Sequence, residues 1–249
     1  MPQSVDRALD LIDAVAEASG PVTAKALARR LGCGLSTVYA LLGSLTERGH
    51  LERTAAGYTL GYRVPTLHSA FRRQQRIDER VHESLLRLRR LSGADVFFST
   101  YRDGEITVVD GATSGPDSVF SVGRDTGAHA TAHGRMLLSS LPGAARRQYL
   151  AAGGLPPRTP HTITSAERLE RELRRVRRAG VAVEVEQAAP GMACVAVPLP
   201  MAPAGGAAAG GVRAGGTAVS AAVPVAEFQR LREPLIEALR REAAALASS

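Results

Sequence analysis

Residues 20–49 read Gly20-Pro-Val-Thr-Ala-Lys-Ala-Leu-Ala-Arg-Arg-Leu-Gly-Cys-Gly-Leu-Ser-Thr-Val-Tyr-Ala-Leu-Leu-Gly-Ser-Leu-Thr-Glu-Arg-Gly49. Apolar residues at helical spacing in this stretch predict two helices joined by a tight turn. The first helix runs from about Ala24 to Leu31, and Thr23 is placed to cap the free backbone N–H groups of its first turn. The turn is Gly32-Cys33-Gly34, because glycine accepts the positive φ angles that a sharp corner between helices demands. The stretch therefore predicts a helix-turn-helix.

The second helix of the pair, over about 35–48, is the candidate for the DNA major groove. We expect its buried stripe to hold Leu35, Val38, Leu41, Leu42 and Leu45. The outward positions hold Ser36, Thr37, Ala40, Gly43, Ser44 and Glu47. None of them is an Arg, Asn or Gln, the side chains that read bases through paired hydrogen bonds. Specificity is therefore expected to depend on Tyr39, on methyl and hydroxyl contacts from Thr37 and Ser36, and on DNA shape.

Two short strands are predicted next, Leu51 to Thr54 and Tyr58 to Leu60, around an Ala-Ala-Gly turn. Helix, turn, helix and hairpin together make a winged helix-turn-helix, which lays one helix in the groove and a wing on the backbone. The alternative is a small helical domain of another kind, since two amphipathic helices and a glycine corner are common.

Basic residues surround this motif. The side chains that could meet DNA phosphates are those of Arg7, Lys25, Arg29, Arg30, Arg48 and Arg53. Each could instead be a solvated surface cation. The whole chain of 249 residues carries a net charge of +7, and Lys25 is its only lysine. This balance fits a polyanion partner, although an arginine bias equally fits genome composition.

The amino-terminal motifs resemble those of the IclR family of bacterial transcription regulators. The segments that carry the resemblance are Ser4-Val-Asp-Arg-Ala-Leu-Asp-Leu-Ile, Leu27-Ala-Arg-Arg-Leu-Gly, Ser36-Thr-Val-Tyr-Ala-Leu-Leu and Glu47-Arg-Gly-His-Leu-Glu-Arg. A helix is predicted over residues 5–18, with Val5, Ala8, Leu9, Ile12, Val15 and Ala16 on its apolar face. The resemblance implies that this helix packs behind the recognition pair and helps two copies pair. Ala40 and Ser44 belong to the outward face of the second helix of the pair and are predicted to meet DNA with the other residues of that face.

The composition also indicates a cellular compartment. Cys33 and Cys194 form neither a metal-type spacing nor a disulfide framework, which favours a reduced, cytosolic setting. The amino terminus enters an amphipathic helix without an apolar signal core, and no stretch approaches the roughly 20 apolar residues of a membrane span. We expect a cytoplasmic protein with no membrane partner.

The remainder of the chain predicts an α+β domain around an antiparallel sheet flanked by helices. A linker helix over 64–77 separates the first domain, 1–63, from the second, 78–249. A helix from Ile77 to Leu91 is expected to bury Val81, Leu85, Leu88 and Leu91. The predicted strands are Ala94 to Tyr101, Glu105 to Asp110, Ser118 to Val122, Val181 to Gln187, Met192 to Pro198 and Thr217 to Val223. The further helices are His129 to Leu141, Ala144 to Ala151, Ser165 to Ala179 and one from Val225 onward. The Ala/Gly-rich segment Ala202 to Gly216 predicts a mobile loop.

This second half resembles the GAF-like effector-binding domain of the same family. The similar segments are Val122-Gly-Arg-Asp-Thr-Gly-Ala-His-Ala-Thr-Ala-His-Gly-Arg-Met-Leu-Leu, Thr159-Pro-His-Thr-Ile-Thr, Leu173-Arg-Arg-Val-Arg-Arg-Ala-Gly-Val-Ala-Val and Gly191-Met-Ala-Cys-Val-Ala-Val-Pro. The resemblance implies a pocket for a small molecule, often an acid, between the sheet and the helix at 129–141. The implied pocket residues are Thr126, Ala132, His133, Glu184, Met192, Cys194, Ser220 and Ala222.

Several pocket residues have other interpretations. Cys194 could be a small buried apolar residue, Ser220 a satisfied strand hydroxyl, and His129 a capping or packing residue. His129 and His133, four apart, could hold a metal with Cys194 or Glu184. Cys194, His133 and Glu184 could also form the thiolate, base and orienting carboxylate of an enzyme.

We predict a ligand-responsive regulator that represses rather than activates transcription. It binds double-stranded operator DNA as a homodimer or dimer of dimers. No cofactor, resident metal or catalytic residue is assigned.

Overall fold

The structure is a computed structural model that describes residues 3–74, 79–102, 104–115, 118–200 and 216–248. The chain divides into two compact units, Met1–Ile77 and Asp78–Ser249, which are described separately. Most of the predicted loop over 202–216 lies outside the described residues; only Gly216 belongs to them.

The first unit contains four helices and a two-stranded hairpin among its described residues. Its elements are α1 (Gln3–Ala16), α2 (Ala24–Leu31), α3 (Leu35–Glu47), β1 (Leu51–Thr54), β2 (Gly57–Leu60) and α4 (Arg63–Gln74). The Thr23 hydroxyl accepts a hydrogen bond from the Ala26 amide at 3.2 Å, which confirms the predicted cap of α2. Gly32 ends that helix in the left-handed conformation, with φ at 59°, so the glycine corner is also confirmed. The order of elements is that of a winged helix-turn-helix.

One apolar core joins α1, α2, α3 and the hairpin. Its buried members are Leu11, Ala14, Val15, Ala24, Leu27, Val38, Leu42, Leu45, Leu51 and Tyr58. The predicted face of α1 was partly wrong: Val5, Leu9 and Ala16 are exposed, whereas Leu11 and Ala14 are buried. The buried face of α1 is rotated about the helix axis relative to the predicted face, because the apolar residues of this helix fit more than one helical stripe.

The hairpin is attached to the segment that precedes α2. Val22 and Tyr58 form an isolated antiparallel bridge, with both N–H···O distances at 2.9 Å. Gly57 makes this close approach possible: its φ is +145°, and a Cβ there would lie 2.6 Å from the carbonyl oxygen of Val22. The wing is therefore held against the helix pair by backbone contacts that a side chain would block.

The second unit is built on a six-stranded antiparallel sheet. Its helices are α5 (Glu79–Ser92), α6 (Ala132–Ser140), α7 (Gly143–Gly153), α8 (Ala166–Ala179) and α9 (Val225–Ala247). Its strands are β3 (Asp95–Arg102), β4 (Glu105–Ala112), β5 (Gly123–Arg124), β6 (Ala182–Val185), β7 (Met192–Leu199) and β8 (Thr217–Pro224). They lie in the order β5-β4-β3-β8-β7-β6. The predicted α+β class is confirmed.

Alternate residues of the central strands face opposite layers. On one face, α5 contacts β3 and β4, and α9 contacts β7 and β8. On the other face, α6 packs on the sheet and against α8, around a core that includes Phe97, Met136, Leu173, Cys194 and Ala222. This second face carries the predicted effector site.

Three local predictions in this unit were wrong. Residues 118–122 form no strand, and the short edge strand is Gly123–Arg124 instead. The helix predicted from His129 begins at Ala132, since a turn occupies 126–130 and Thr131 caps α6 by accepting from the Gly134 amide at 3.1 Å. Leu91 of α5 is 73% exposed and does not join the apolar face.

Within the described ranges, none of the helices combines the length and apolarity that crossing a membrane requires.

Replacing Gly57 with Ala should destabilise the first unit by about 2 kcal/mol or more, because the positive φ and the contact with Val22 both disfavour a Cβ. Hydrogen exchange of peptides from α2 to β2, read in the full-length chain, measures the local opening free energy. Gly20→Ala is the control, since a Cβ there meets nothing within 4 Å. Equal exchange in the two variants would contradict the proposed role of Gly57.

Candidate functional site

The outward face of α3 is accessible over its whole length. Val38, Leu42 and Leu45 are buried. The exposed members are Leu35, Ser36, Thr37, Tyr39, Ala40, Gly43, Ser44 and Glu47. The predicted burial of Leu35 was wrong, as its side chain is 40% exposed at the first helical position. Tyr39 is 53% exposed and is the largest side chain of this face.

Leu35 is thus a surface residue, although the helical periodicity assigned it to the buried stripe. The sequence of the turn could have predicted this exposure, because residues in the first helical turn after Gly34 extend beyond the packed part of the helix. Gly34 is the N-cap and provides no side-chain oxygen. The first backbone amides of α3 therefore keep their hydrogen-bonding capacity for a phosphate oxygen.

Cations flank this face. Lys25, Arg29, Arg48 and Arg53 are exposed, and none of them forms an ion pair with a residue in the described part of the chain. Arg30 differs, because it is paired with Glu17. Arg7 of α1 is half-buried.

The predicted effector residues converge on the sheet face below α6. Glu184, Cys194 and Ala222 lie side by side in one row across β6, β7 and β8. Ser220 lies two residues along β8, opposite Ala196 and Phe97. Ala132 and His133 of α6 are fully buried above them.

Two predicted residues are less buried than this group. Met192 begins β7 and is partly buried against the same core. Thr126 is exposed in the turn before α6, so its side chain is not buried with the others.

Asp125, which the sequence analysis did not select, organises the entrance to α6. One carboxylate oxygen accepts from the Gly127 amide at 2.7 Å. The other accepts from the Thr131 hydroxyl at 2.8 Å and lies 2.9 Å from Nε2 of His133. Burial acts to raise the pKa of Asp125, but these hydrogen bonds outweigh it and lower the pKa. The Asp-Thr-Gly sequence between a strand and a helix was the available signal, because Asp commonly caps such turns.

Several polar atoms in this site are fully buried and have no hydrogen-bond partner. They are Nδ1 of His133, Oε1 of Glu184, Oγ of Ser220 and Oγ of Ser99. Ser99 lies on β3 opposite Ala218, on the same sheet face as Phe97 and Ser220. An unpaired buried polar group costs about 1–3 kcal/mol, so these unpartnered atoms, distributed over β3, β8, β6 and α6, suggest a site that is completed by something else.

The charges around these atoms are unequal. Burial raises the pKa of Glu184, and the neighbouring Cys194 thiol and the amides of Gln187 and Ala188, at 2.8 and 3.3 Å from Oε2, oppose this without cancelling it. Arg135 is a completely buried cation of α6 whose Nε donates to the carbonyl oxygen of His129 at 2.7 Å and whose guanidinium contacts Gln187. The site therefore contains a buried carboxyl group with a raised pKa near a buried positive charge.

Cys194 lacks the features of a catalytic thiol. Burial raises its pKa well above the usual value, and the neighbouring Glu184 carboxylate raises it further. A thiolate nucleophile needs the opposite environment. His133, the base of the enzymatic alternative, is bonded to Asp125 instead.

The two histidines of the metal alternative have separate partners. Nε2 of His129 lies 2.9 Å from the carbonyl oxygen of Pro156, while His133 bonds Asp125. His129 precedes α6, so the assumed helical spacing of four does not hold. Among the residues that the structure describes, no three His, Cys, Asp or Glu side chains are grouped to hold a metal ion.

Comparison with known families agrees with this two-part architecture. Residues 4–55 match the model of the IclR helix-turn-helix domain. Residues 70–248 match the model described as the bacterial transcriptional regulator IclR C-terminal domain.

Individual relatives cover most of the chain. The HTH-type transcriptional regulator BhcR of Paracoccus denitrificans is 30% identical over 203 residues, which are 79% of this chain and 72% of BhcR. The transcriptional repressor IclR of Escherichia coli is 26% identical over 200 residues, covering 78% and 73% of the two chains.

Solved structures share the fold. The crystal structure of the Thermotoga maritima IclR superposes with a TM-score of 0.78 at 24% identity, covering 100% of this chain and 98% of that one. An IclR homolog from Microbacterium hydrocarbonoxydans, complexed with 4-hydroxybenzoate, gives 0.69 at 22% identity and covers 99% and 98%. These matches, together with the exposed recognition helix and the effector domain, show that the chain belongs to the IclR family of bacterial transcriptional regulators.

Proposed function

We propose that the protein is a cytoplasmic repressor whose affinity for operator DNA is controlled by a small organic acid bound between α6 and the sheet. The observation that carries this proposal is the group of unpartnered buried atoms on His133, Glu184, Ser220 and Ser99. The E. coli relative supports the repressor role, since its name describes a repressor. Residues 1–63 would bind DNA, 64–77 would link, and 78–249 would bind the effector.

An acid suits this site for electrostatic reasons. The Ser220 hydroxyl can donate a hydrogen bond to a carboxylate oxygen, and burial, which raises the pKa of Glu184, favours the protonated carboxyl that could donate another. Arg135 adds a buried positive charge on the helix above. Nε2 of His133 faces the Asp125 carboxylate, so Nδ1 remains for the ligand. The Microbacterium homolog is complexed with 4-hydroxybenzoate, which is a small organic acid. We assign Ala132, Met192, Cys194 and Ala222 as lining residues of this site; Thr126, exposed in the turn before α6, is not among them.

On the DNA side, the proposed mode follows from the exposed surface of the first unit. Ser36, Thr37, Tyr39, Ala40 and Ser44 would meet base edges. Arg7, Lys25, Arg29, Arg48 and Arg53 would meet phosphates. Because the reading face is composed of small side chains, sequence-dependent DNA shape would supply part of the specificity.

Exposed apolar side chains support pairing of two copies. Val5 and Leu9 of α1 are 52% and 55% exposed, and α4 buries none of its residues although it carries Leu67. Operators read by helix-turn-helix dimers have half-sites about one helical turn apart or multiples of it. We therefore propose a homodimer or a dimer of dimers.

The direct test is binding of the full-length protein to DNA beside its own gene, at two salt concentrations, with a random duplex as control. We expect selective binding with a steep dependence on salt, since phosphate contacts release counterions. Binding no tighter than to the random duplex, with and without candidate acids, would contradict the proposal.

Substitutions should separate base contacts from phosphate contacts. Thr37→Ala and Tyr39→Ala should reduce operator affinity by about 1–3 kcal/mol while leaving binding to random DNA unchanged. Arg29→Ala and Arg53→Ala should weaken binding to all sequences alike and lower the salt slope by about one each. Quantitative binding isotherms on both duplexes measure this. If the Thr37 and Tyr39 variants keep full selectivity, α3 does not read bases as proposed.

Ser220→Ala should have opposite effects on stability and on ligand binding. Removing a buried hydroxyl that has no partner should stabilise the effector domain by about 1 kcal/mol, and it should weaken an acid that uses this hydroxyl about tenfold. Denaturant unfolding and a thermal-shift titration with small organic acids, including 4-hydroxybenzoate, measure the two effects. Ser139→Ala is the matched control, because its hydroxyl is also buried but donates to the carbonyl oxygen of Met136 at 2.7 Å. If the two variants change stability and acid binding equally, Ser220 is not part of the effector site.

The titration of Glu184 predicts a dependence of stability on pH. The pKa of Glu184 in the folded protein lies above the ordinary 4.5. The protonated carboxyl therefore makes its full contribution to the free energy of unfolding below pH 4.5, and this contribution is lost as the pH rises through the folded-state pKa. Glu184→Gln removes this loss. The free energy of unfolding of the variant minus that of the wild type should therefore increase with pH above 4.5. Denaturant titrations across this range test it, and a constant difference would contradict the assigned burial effect.

A further inference from the structure

A second concave surface lies between α7 and α8, away from the residues assigned to the effector. It is open to solvent, has a volume of about 890 Å³ and is lined by Arg146, Arg147, Leu150, Ala151, Leu155, Ala166, Glu167, Glu170, Arg171 and Arg174. We call it the α7–α8 groove. Pockets for small ligands have volumes of about 300–1,000 Å³, so the groove has the size of such a site.

One ion pair braces the groove. Arg146 donates from Nε and from a terminal nitrogen to the two oxygens of Glu170, at 2.7 and 3.0 Å. Its other terminal nitrogen donates to the carbonyl oxygen of Leu141 at 2.7 Å. The hydrogen bond from Arg146 lowers the pKa of Glu170, so the carboxylate stays charged and committed to this partner. The pair joins α7 to α8 and leaves Glu170 little capacity to neutralise another arginine.

Three further arginines of the groove are not neutralised in this way. Arg147 lies on α7, and Arg171 and Arg174 lie one turn apart on α8; all three are exposed. None makes a hydrogen bond or an ion pair with a described residue, although Arg174 contributes at longer range to the field at Glu170. Glu167 is the other acid of the lining, so the groove has an excess of positive charge.

The floor between these cations is apolar. The apolar lining residues are Leu150 and Leu155, which are half-buried, and Ala151 and Ala166, which are exposed. Leu150 and Leu155 also pack against the core that contains Ala132 and Cys194. A ligand on this floor would therefore touch side chains that support the effector side of the sheet.

We propose that the α7–α8 groove is a second ligand site, for a small carboxylate with an apolar body such as an alkyl chain. Guanidinium groups bind carboxylates through paired, charge-assisted hydrogen bonds, and the leucine and alanine floor would bury the chain. The proposal does not depend on the nature of the ligand bound below α6.

The test uses octanoate as the probe and the full-length protein. Isothermal titration should show saturable binding, whereas acetate, which lacks the apolar body, and octanamide, which lacks the charge, should each bind at least about tenfold more weakly. Arg171→Gln/Arg174→Gln should weaken octanoate binding roughly tenfold or more. Arg178→Gln is the matched control, since this exposed arginine lies on the same helix outside the groove, and it should bind as the wild type does.

Other outcomes would overturn the proposal. Absence of saturable octanoate binding, or equal binding by the double variant and the wild type, would show that the groove is not a carboxylate site. Loss of binding in Ser220→Ala but not in the double variant would place octanoate below α6 instead. If a Leu- and Glu-rich peptide, but not octanoate, binds in an Arg171- and Arg174-dependent manner, the groove takes a protein segment rather than a small ligand.

Discussion

The carboxylate of Asp125 is the contact on which the effector side of the protein depends. It collects hydrogen bonds from the Gly127 amide, the Thr131 hydroxyl and the His133 ring, so it orients both the turn over 126–130 and the first residues of α6. The carbonyl oxygen of Asp125 also accepts from the Tyr149 hydroxyl at 3.2 Å, which ties α7 to the same point. Burial raises the pKa of Tyr149 to about 12, and the Asp125 charge adds to this, so the phenol remains a donor. Without this arrangement α6 would have no defined entry onto the sheet.

Tight backbone packing reinforces the same point. A Cβ at Gly134 would lie 2.3 Å from the carbonyl oxygen of Ala128, so α6 can approach the preceding turn only with glycine there. His133 is then held between Asp125 and the edge of the Phe120 ring, whose centroid lies 5.0 Å from its own. The histidine ring has little freedom to reorient, and its second nitrogen stays without a protein partner. Proteins often accept such a loss of stability at a binding site, because the ligand recovers it.

The DNA-binding unit follows a different principle. Its core is small, and its specificity resides on a surface that contributes little to folding. Gly57 lets the wing approach Val22, and the buried stripe of α3 holds the helix while its opposite face stays open. Exposed cations and small side chains on that face can vary without cost to the core, because they do not pack in it.

The family resemblance grouped Cys194, Ser220 and Ala222, which lie on one sheet face. The sequence alone determined most of the order of elements, the glycine corner and the cap at Thr23. These features depend on local periodicity and on backbone preferences that neighbouring residues reveal. The tertiary structure decided which side of α1 is buried, that Leu35 is exposed, that residues 118–122 form no strand, and that Asp125 contacts His133. Each of these depends on partners distant in the sequence, whose packing and hydrogen bonds outweigh local propensity.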